Sequence, residues 1–185
     1  MTEPQAINDI FLAPGDFFFG DELNRVRTTL GSSIAVIAWH PTKKIGGICH
    51  YLLPSRHQVF DDIDLVPEGK IDSKYADEAF SLFLMEMMRR RSNPVEYIIK
   101  IFGGGDMFPG QIKSKRTNSD IGKKNIEAAH KLMAQHGFKI SKEDTGSTGH
   151  RNIAFDISSG DIRIRHAKIT EEQAASASYS LRNGR

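Results

Sequence analysis

The chain has 185 residues, of which 39% are hydrophobic and 26% charged, and its formal net charge is +2. Its single cysteine excludes an internal disulfide framework, and no apolar run reaches the length of a membrane span. The small charge gives no support to nucleic-acid binding. We therefore predict one cytoplasmic, globular domain that inserts into no membrane and binds no nucleic acid.

The N-terminal part carries short apolar segments of strand length. Residues 1–6 are expected to be mobile, residues 7–12 can form a short strand, and residues 25–30 lead as a strand into a turn at Gly31. Phe17-Phe18-Phe19 lies beside another turn. We predict that these rings belong to the core rather than to a partner-binding patch, because aromatic residues in such a position are more often buried.

A predicted hairpin carries the most informative chemistry. The apolar runs 34–39 and 45–53 predict two strands, and the polar segment 40–44, with its φ-fixing proline, predicts the turn between them. This pairing places Ser33 and His50 nearly opposite each other on antiparallel strands. A hydroxyl and an imidazole in those positions can form a hydrogen bond.

Ser33 and His50 are therefore a candidate nucleophile and general base. Such catalysis also needs N–H donors for an oxyanion, and the turn at Leu30-Gly31-Ser32 would leave backbone N–H groups free for that purpose. Cys49 adjoins His50, but successive strand residues point to opposite faces. We expect Cys49 to face away from the site as a buried, inert thiol.

The chain after the hairpin predicts a long loop and then a helix. Residues 55–70 contain prolines and charges without a clear period, which is typical of a loop beside a functional site. Asp72 or Ser73 is expected to cap a helix that runs to about Arg91. Its apolar face, predicted to pack on a sheet, comprises Tyr75, Ala76, Ala79, Phe80, Phe83, Leu84, Met87 and Met88.

A strand and a glycine cluster follow this helix. Ser92-Asn93-Pro94 ends the helix, and residues 95–102 alternate as a strand with Val95, Tyr97, Ile99 and Ile101 on one side. Gly103-Gly104-Gly105 matches neither common phosphate-binding motif. We therefore do not predict nucleotide binding by these glycines.

Residues 109–119 predict a polar loop, and Asn118, Ser119 or Asp120 is expected to cap a second helix that reaches residue 135 or 136 and closes at Gly137. The predicted buried face consists of Ile121, Ile126, Ala129, Leu132 and Met133. His130 and His136 lack cysteine or carboxylate partners at ligand spacing. We therefore predict neither a metal site nor a cofactor.

The C-terminal part predicts further strands. Residues 138–141 predict one strand, residues 144–149 a glycine-rich turn, and the segments 151–157 and 161–166 a final hairpin about residues 158–160. From Thr170 the composition predicts a flexible tail, so the predicted domain spans residues 1–169 and the tail residues 170–185. This order of strands and helices predicts a single mixed α/β domain rather than a doubly wound parallel sheet.

Several motifs together resemble the chemoreceptor glutamine deamidase family CheD. The first is Thr-x-Leu-Gly-Ser-Ser-Ile-Ala-Val from Thr28, and the second is Gly-x-x-His-Tyr-Leu-Leu-Pro around His50. Further blocks follow in family order at residues 74–77, 102–108, 121–126, 143–146 and 149–151. The family has a nucleophilic cysteine in its Leu-Gly-Ser-Cys motif, and this chain has Ser33 at that position.

The resemblance implies a fold, an activity and partners. It implies two packed sheets in a sandwich-like core with two main helices on the outside, and deamidation of glutamine in methyl-accepting chemoreceptors with release of ammonia. It also implies that His50 is the base, that Thr28, or else Thr29, orients it, and that Gly31 and Ser32 shape the oxyanion site. A further implication is that the glycine cluster at residues 103–105 packs close to the turn at Gly31. The implied partners are the receptors and a CheC-type phosphatase.

Three functional hypotheses stay open because Ser33 replaces cysteine. An alcohol loses its proton only during attack, so we expect Ser33 to be a weaker nucleophile than a thiol. The first hypothesis is a deamidase, which either uses Ser33 or carries it in place of a cysteine present in the natural form. The second is a non-catalytic homologue that binds receptors or a CheC-type phosphatase, and the third is an unrelated serine hydrolase. The last rests on a degenerate G-x-S-x-G motif at residues 31–35, which requires a helix after the serine where a strand is predicted.

Overall fold

The computed structural model describes residues 6–56, 71–109, 120–170 and 172–173. The predictions for residues 1–5, the loop at 57–70, the polar loop at 110–119 and the tail at 174–185 lie outside the described residues. The described strands are β1 (Asn8–Phe11), β2 (Phe17–Asp21), β3 (Asn24–Leu30), β4 (Ile34–His40), β5 (Ile45–Tyr51), β6 (Ile98–Gly103), β7 (Ile140–Thr145), β8 (His150–Asp156) and β9 (Ile162–Ala167). The helices that shape the fold are α1 (Ala76–Arg89) and α2 (Ile121–Gln135).

The strands form two sheets of mixed direction. The first sheet has the order β1-β3-β8-β9 and the second sheet the order β2-β5-β4-β6-β7. The pairs β1 with β3 and β6 with β7 are parallel, and the other pairs are antiparallel. The predicted fold class, a single mixed α/β domain with two packed sheets and the helices outside, is confirmed.

Two cores hold three layers together. The core between the sheets contains Leu12, Val26, Leu30, Ala35, Ile37, Ile48, Phe102, Ile153, Phe155 and Ile157. The core between the second sheet and the helices includes Ile34, Val36, Ala38, Cys49, Tyr51, Phe80, Phe83, Met87, Ile99, Ile101, Ala129 and Met133. Strand β4 contributes alternate residues to both cores, which explains why its sequence is a continuous apolar run.

The start of α1 differs from the prediction. The helix begins at Ala76, and the flanking residue Tyr75 has extended backbone angles of φ −101° and ψ 136° and makes no side-chain cap. Asp72 accepts a hydrogen bond from the Lys74 N–H, and the Ser73 hydroxyl donates to the Gly15 carbonyl. Because both side chains are engaged in the preceding turn, neither caps the helix. On the predicted apolar face, Met88 is 76% exposed and the other residues are buried or partly buried.

Three other elements also differ from their predicted form. Val95 belongs to a short 3-10 helix, Pro94–Glu96, which Asn93 caps, so it is exposed and β6 begins only at Ile98. The three phenylalanines at residues 17–19 are partly buried and pack against the two cores, and they also form strand β2 at the edge of the second sheet. Strand β7 runs through to Thr145, into the segment predicted as a turn.

The predicted buried face of α2 is partly wrong. Ala129 and Met133 are buried as predicted, whereas Ile121, Ile126 and Leu132 are only partly buried. Gly122 and Asn125 are buried instead. Asp120 is the first flanking residue of the helix and makes no side-chain cap, while Gly137 follows the helix with a φ of +71° as expected of a closing glycine.

Candidate functional site

Ser33, His50 and Thr28 meet at one end of the space between the sheets. Thr28 lies on β3 of the first sheet, His50 lies on β5 of the second sheet, and Ser33 lies in the turn that carries the chain from one sheet to the other. Their exposures are 2%, 1% and 6% for Thr28, His50 and Ser33. Packing of the two sheets therefore assembles the site.

A line of hydrogen bonds fixes the proton positions in this site. Ser33 Oγ lies 2.8 Å from His50 Nε2, and His50 Nδ1 lies 2.8 Å from Thr28 Oγ1. The Thr28 hydroxyl donates to the Leu12 carbonyl at 2.8 Å. Because its only proton is used there, Thr28 accepts from His50 Nδ1–H. The neutral imidazole is thus held in the tautomer whose Nε2 accepts the Ser33 proton.

The electrostatics of the site keep His50 neutral. Burial lowers the pKa of His50 from 6.5 to about 4, although the nearby Asp16 carboxylate and the Leu12 carbonyl act in the opposite direction. At neutral pH the imidazole is ready to accept a proton. The imidazolium that results is poorly stabilised, since its partner at Nδ1 is a hydroxyl and not a carboxylate.

The turn that carries Ser33 is held through its carbonyl groups. Gly105 N–H donates to the Gly31 carbonyl at 2.9 Å, and Gly104 N–H donates to the Ser33 carbonyl at 2.8 Å. Asn125 Nδ2 donates to the Ser32 carbonyl at 3.1 Å. In the described part of the chain, no acceptor is bound to the N–H group of Ser32 or of Ser33.

The glycine cluster after β6 makes this close approach possible. Gly103 has a φ of +113°, and a Cβ atom there would lie 2.2 Å from the Ser33 carbonyl oxygen. Gly104 has a φ of +66°, and a Cβ atom there would lie 2.6 Å from Ile126 Cγ1. The prediction that these glycines pack against the turn is confirmed, because any side chain would push β6 away from it.

Two neighbours of the site residues point elsewhere. Thr29, the alternative orienting residue, donates to Asn152 Oδ1 at 2.7 Å on the outer face of the first sheet and does not contact His50. Cys49 lies in the core beneath α1 and is 1% exposed. Burial raises the pKa of its thiol to about 12, which confirms the predicted inert cysteine.

The surroundings of Ser33 differ from those of a serine-hydrolase elbow. That motif needs a helix directly after the serine, whereas Ser33 is followed by strand β4.

Across the described ranges, no group of three His, Cys, Asp or Glu residues could hold a metal ion, and His130 contacts one carboxylate, that of Glu143, at 2.9 Å. None of the described helices is long and apolar enough to cross a membrane.

Asn125 is the site residue that the sequence prediction missed. It is 0% exposed, and its side chain bonds the carbonyls of Ser32 and Leu52. One signal in the sequence points to it. It is a polar residue within the family-like block at 121–126, one position from the predicted apolar face of α2.

Comparison with known proteins agrees with this structure. The sequence model of a family described as CheD chemotactic sensory transduction matches residues 53–166, which is more than half of the chain. The chain belongs to the CheD family. The resemblance inferred from the motifs is thereby confirmed, although Thr28, Ser33 and His50 precede the matched segment.

Several curated CheD proteins are similar over almost the whole chain. The probable chemoreceptor glutamine deamidase CheD of Pseudomonas savastanoi pv. phaseolicola is 38% identical over 169 residues, which cover 90% of this chain and 89% of the relative. The protein named probable chemoreceptor glutamine deamidase CheD 2 of Albidiferax ferrireducens is 40% identical over 154 residues, covering 83% and 84%. A CheD 1 protein of Leptospira interrogans with the same descriptive name is 35% identical over 176 residues, covering 92% and 99%.

Proposed function

We propose that this CheD-family chain is a chemoreceptor glutamine deamidase that acts in the cytoplasm with Ser33 as its nucleophile. The observation that carries the proposal is the line of hydrogen bonds from Ser33 through His50 and Thr28 to the Leu12 carbonyl. It supplies a nucleophile, a base in the required tautomer and an orienting group. The names of the relatives supply the substrate class, glutamine side chains of chemoreceptors.

The acylation step follows from this arrangement. Ser33 Oγ attacks the side-chain amide carbon of a receptor glutamine while its proton passes to His50 Nε2. The amide oxygen becomes an oxyanion, for which the N–H groups of Ser32 and Ser33 are the available donors. His50 then gives the proton to the leaving nitrogen, ammonia departs, and an ester joins the substrate to Ser33.

Hydrolysis of this ester completes the reaction. A water molecule loses a proton to His50 Nε2 and attacks the ester carbon. The second tetrahedral intermediate collapses, Ser33 Oγ regains the proton from His50, and the receptor side chain leaves as glutamate. His50 thus acts as base and acid in turn.

The low pKa of His50 determines the expected rate of attack by Ser33. Moving a proton onto a base of pKa about 4 instead of 6.5 costs about 3 kcal/mol, so Ser33 attack is slowed by on the order of 10²-fold. A thiol at the same position ionises near pH 8.5 and needs less help from the base. We therefore expect slow catalysis by Ser33 and much faster catalysis by a Ser33→Cys variant.

The test compares the chain that carries Ser33 with its Ser33→Cys and Ser33→Ala variants. Each protein is incubated with the cytoplasmic fragment of a chemoreceptor, and mass spectrometry follows conversion of glutamine to glutamate together with ammonia release. The proposal expects slow conversion by the chain that carries Ser33, at least about tenfold faster conversion by Ser33→Cys, and none by Ser33→Ala. No conversion by any of the three proteins would overturn the deamidase function.

A second candidate function is binding without catalysis. It is favoured by the hydroxyl of Thr28, which stands at His50 Nδ1 where serine hydrolases have a carboxylate. Conversion by Ser33→Cys alone would identify the chain that carries Ser33 as a binder of receptors. Titration calorimetry with the receptor fragment and with a CheC-type phosphatase would then show which partner it holds.

A further inference from the structure

We propose that Asn125 is a positioning residue that aims the Ser33 N–H group at the reacting carbonyl oxygen. The inference rests on the proposed function of the Ser33 site. Asn125 lies on α2, in the layer on the far side of the second sheet from His50, and its side chain reaches the site through the backbone carbonyl of Ser32.

The Asn125 side chain ties together both ends of the hairpin that carries the site. Its Nδ2 group donates to the Ser32 carbonyl at 3.1 Å and to the Leu52 carbonyl at 2.8 Å. Ser32 lies just before β4 and Leu52 just after β5, so the two carbonyls flank Ser33 and His50 in the chain. Both protons of the amide are used for this purpose.

The peptide bond between Ser32 and Ser33 relates the direction of the Ser32 carbonyl to the direction of the Ser33 N–H group. The described peptide bonds contain no cis form, and in a trans peptide the C=O and the following N–H point in opposite directions. Since Asn125 fixes the Ser32 carbonyl toward α2, the Ser33 N–H is directed away from α2. That N–H has no acceptor within the described residues, as an oxyanion donor requires.

The unused half of the Asn125 amide supports a positioning role. Its Oδ1 atom is buried and has no hydrogen-bond partner among the residues that the structure describes, and such an unpaired acceptor costs about 1–3 kcal/mol. The opposite amide orientation would place Oδ1 against two carbonyl oxygens, so Nδ2 is the atom that faces them. An apolar residue of similar size would fill the space without the buried Oδ1, so packing alone does not account for an asparagine here.

The backbone of Asn125 is anchored as well. The Tyr51 hydroxyl donates to the Asn125 carbonyl at 2.5 Å, and Tyr51 is the neighbour of His50 on β5. The Tyr51 contact and the two side-chain contacts therefore fix the position of Asn125 relative to the β4–β5 hairpin. A small shift of α2 would move the Ser32 carbonyl with it.

The test separates oxyanion stabilisation from general damage to the site. It uses the Ser33→Cys background, in which iodoacetamide and 4-nitrophenyl acetate both react with the new thiol, while the buried Cys49 does not compete. Alkylation displaces iodide from a saturated carbon and forms no oxyanion. Acylation by the ester releases 4-nitrophenolate through a tetrahedral oxyanion.

We expect Asn125→Leu in this background to slow acylation by on the order of 10²-fold and to leave the alkylation rate within about twofold. The smaller variant Asn125→Ala should do the same, which covers the case that leucine disturbs folding. Asn152→Leu is the matched control, because Asn152 contacts Thr29 on the outer face of the first sheet. It should change neither rate.

Two outcomes would overturn the positioning role. An equal fall of acylation and alkylation would show that Asn125 only maintains the structure, and unchanged acylation would show that it does not aim a donor. The ester assay needs no receptor. Dependence of acylation on Asn125, combined with no deamidation of a receptor fragment by Ser33→Cys, would support the positioning role and remove the deamidase function.

Discussion

Lowering the pH should reduce the free energy of unfolding of this protein, in part because His50 becomes protonated. The variant His50→Gln should lack that part of the pH dependence. Burial lowers the pKa of His50 from 6.5 to about 4, so between these values the unfolded chain binds a proton that the folded chain does not. The stability that neutral His50 contributes is present above pH 6.5 and is lost progressively as the pH falls through 4.

The size of the effect follows from the two pKa values. A gap of about 2.5 units at 1.36 kcal/mol per unit gives a total loss of about 3 kcal/mol, of which about 2 kcal/mol falls between pH 7 and pH 5. Hydrogen bonds and basic partners lower the pKa values of three carboxyl groups, those of Asp72, Glu78 and Asp156. Protonation of these groups in acid also reduces the free energy of unfolding. Their contribution is the same in both proteins and cancels in the difference.

The assay is urea unfolding of the unsubstituted chain, His50→Gln and His136→Gln at pH 7 and pH 5. His136 is exposed, so its replacement controls for loss of an imidazole at the surface. The unsubstituted chain and His136→Gln should each lose about 2 kcal/mol more than His50→Gln between the two pH values. An equal loss in all three proteins would refute the argument that the buried imidazole is uncharged.

Further predictions concern the Thr28 hydroxyl, the His50 imidazole and the glycine cluster after β6. Thr28→Val removes the hydroxyl that accepts from His50 Nδ1–H and donates to the Leu12 carbonyl, so it should lower the unfolding free energy by about 2 kcal/mol and slow ester acylation. Thr28→Ser keeps the hydroxyl and should retain both the stability and the rate. Acylation by the unsubstituted chain should keep its rate down to about pH 5 and fall near pH 4, and a midpoint near 6.5 would contradict the low pKa of His50. Gly103→Ala should lower the free energy of unfolding, measured in urea, by more than about 3 kcal/mol, because its Cβ atom would meet the Ser33 carbonyl. In the control Gly137→Ala, the Cβ atom would have no other atom within 4 Å. This variant should lose only about 1 kcal/mol, because alanine is strained in a left-handed backbone.

Local patterns in the sequence predicted the hairpin of β4 and β5 well. The alternation that places His50 toward one face and Cys49 toward the other is a property of a single strand, so it needs no knowledge of the rest of the fold. Val95 shows the limit of the same reasoning. Its alternation with later residues is strand-like, but the preceding Asn-Pro pair caps a 3-10 helix and takes it out of the strand.

Contacts between distant segments could not be predicted from local patterns. That Thr28, and not Thr29, meets the imidazole depends on which face of β3 is turned toward the second sheet, and family resemblance was the guide to it. The role of Asn125 is harder still to infer. Helical periodicity identified apolar neighbours such as Ile126, whereas the carbonyl of Ser32 that Asn125 binds lies 93 positions away in the chain.

The crossing of the chain between sheets at Ser33 has a consequence during synthesis. Strand β3 pairs with β8, so that Thr28 lies beside Ile153, and a ribosome must add more than a hundred residues after Thr28 before that neighbour exists. Such non-local pairing is slow to form compared with the β4–β5 hairpin. Ser33 and His50 can thus meet early, whereas Thr28 is held in place only when strands β8 and β9 have formed. The hydrogen bond between Thr28 and His50 is therefore secured late in folding, after β8 has been synthesised and has paired with β3.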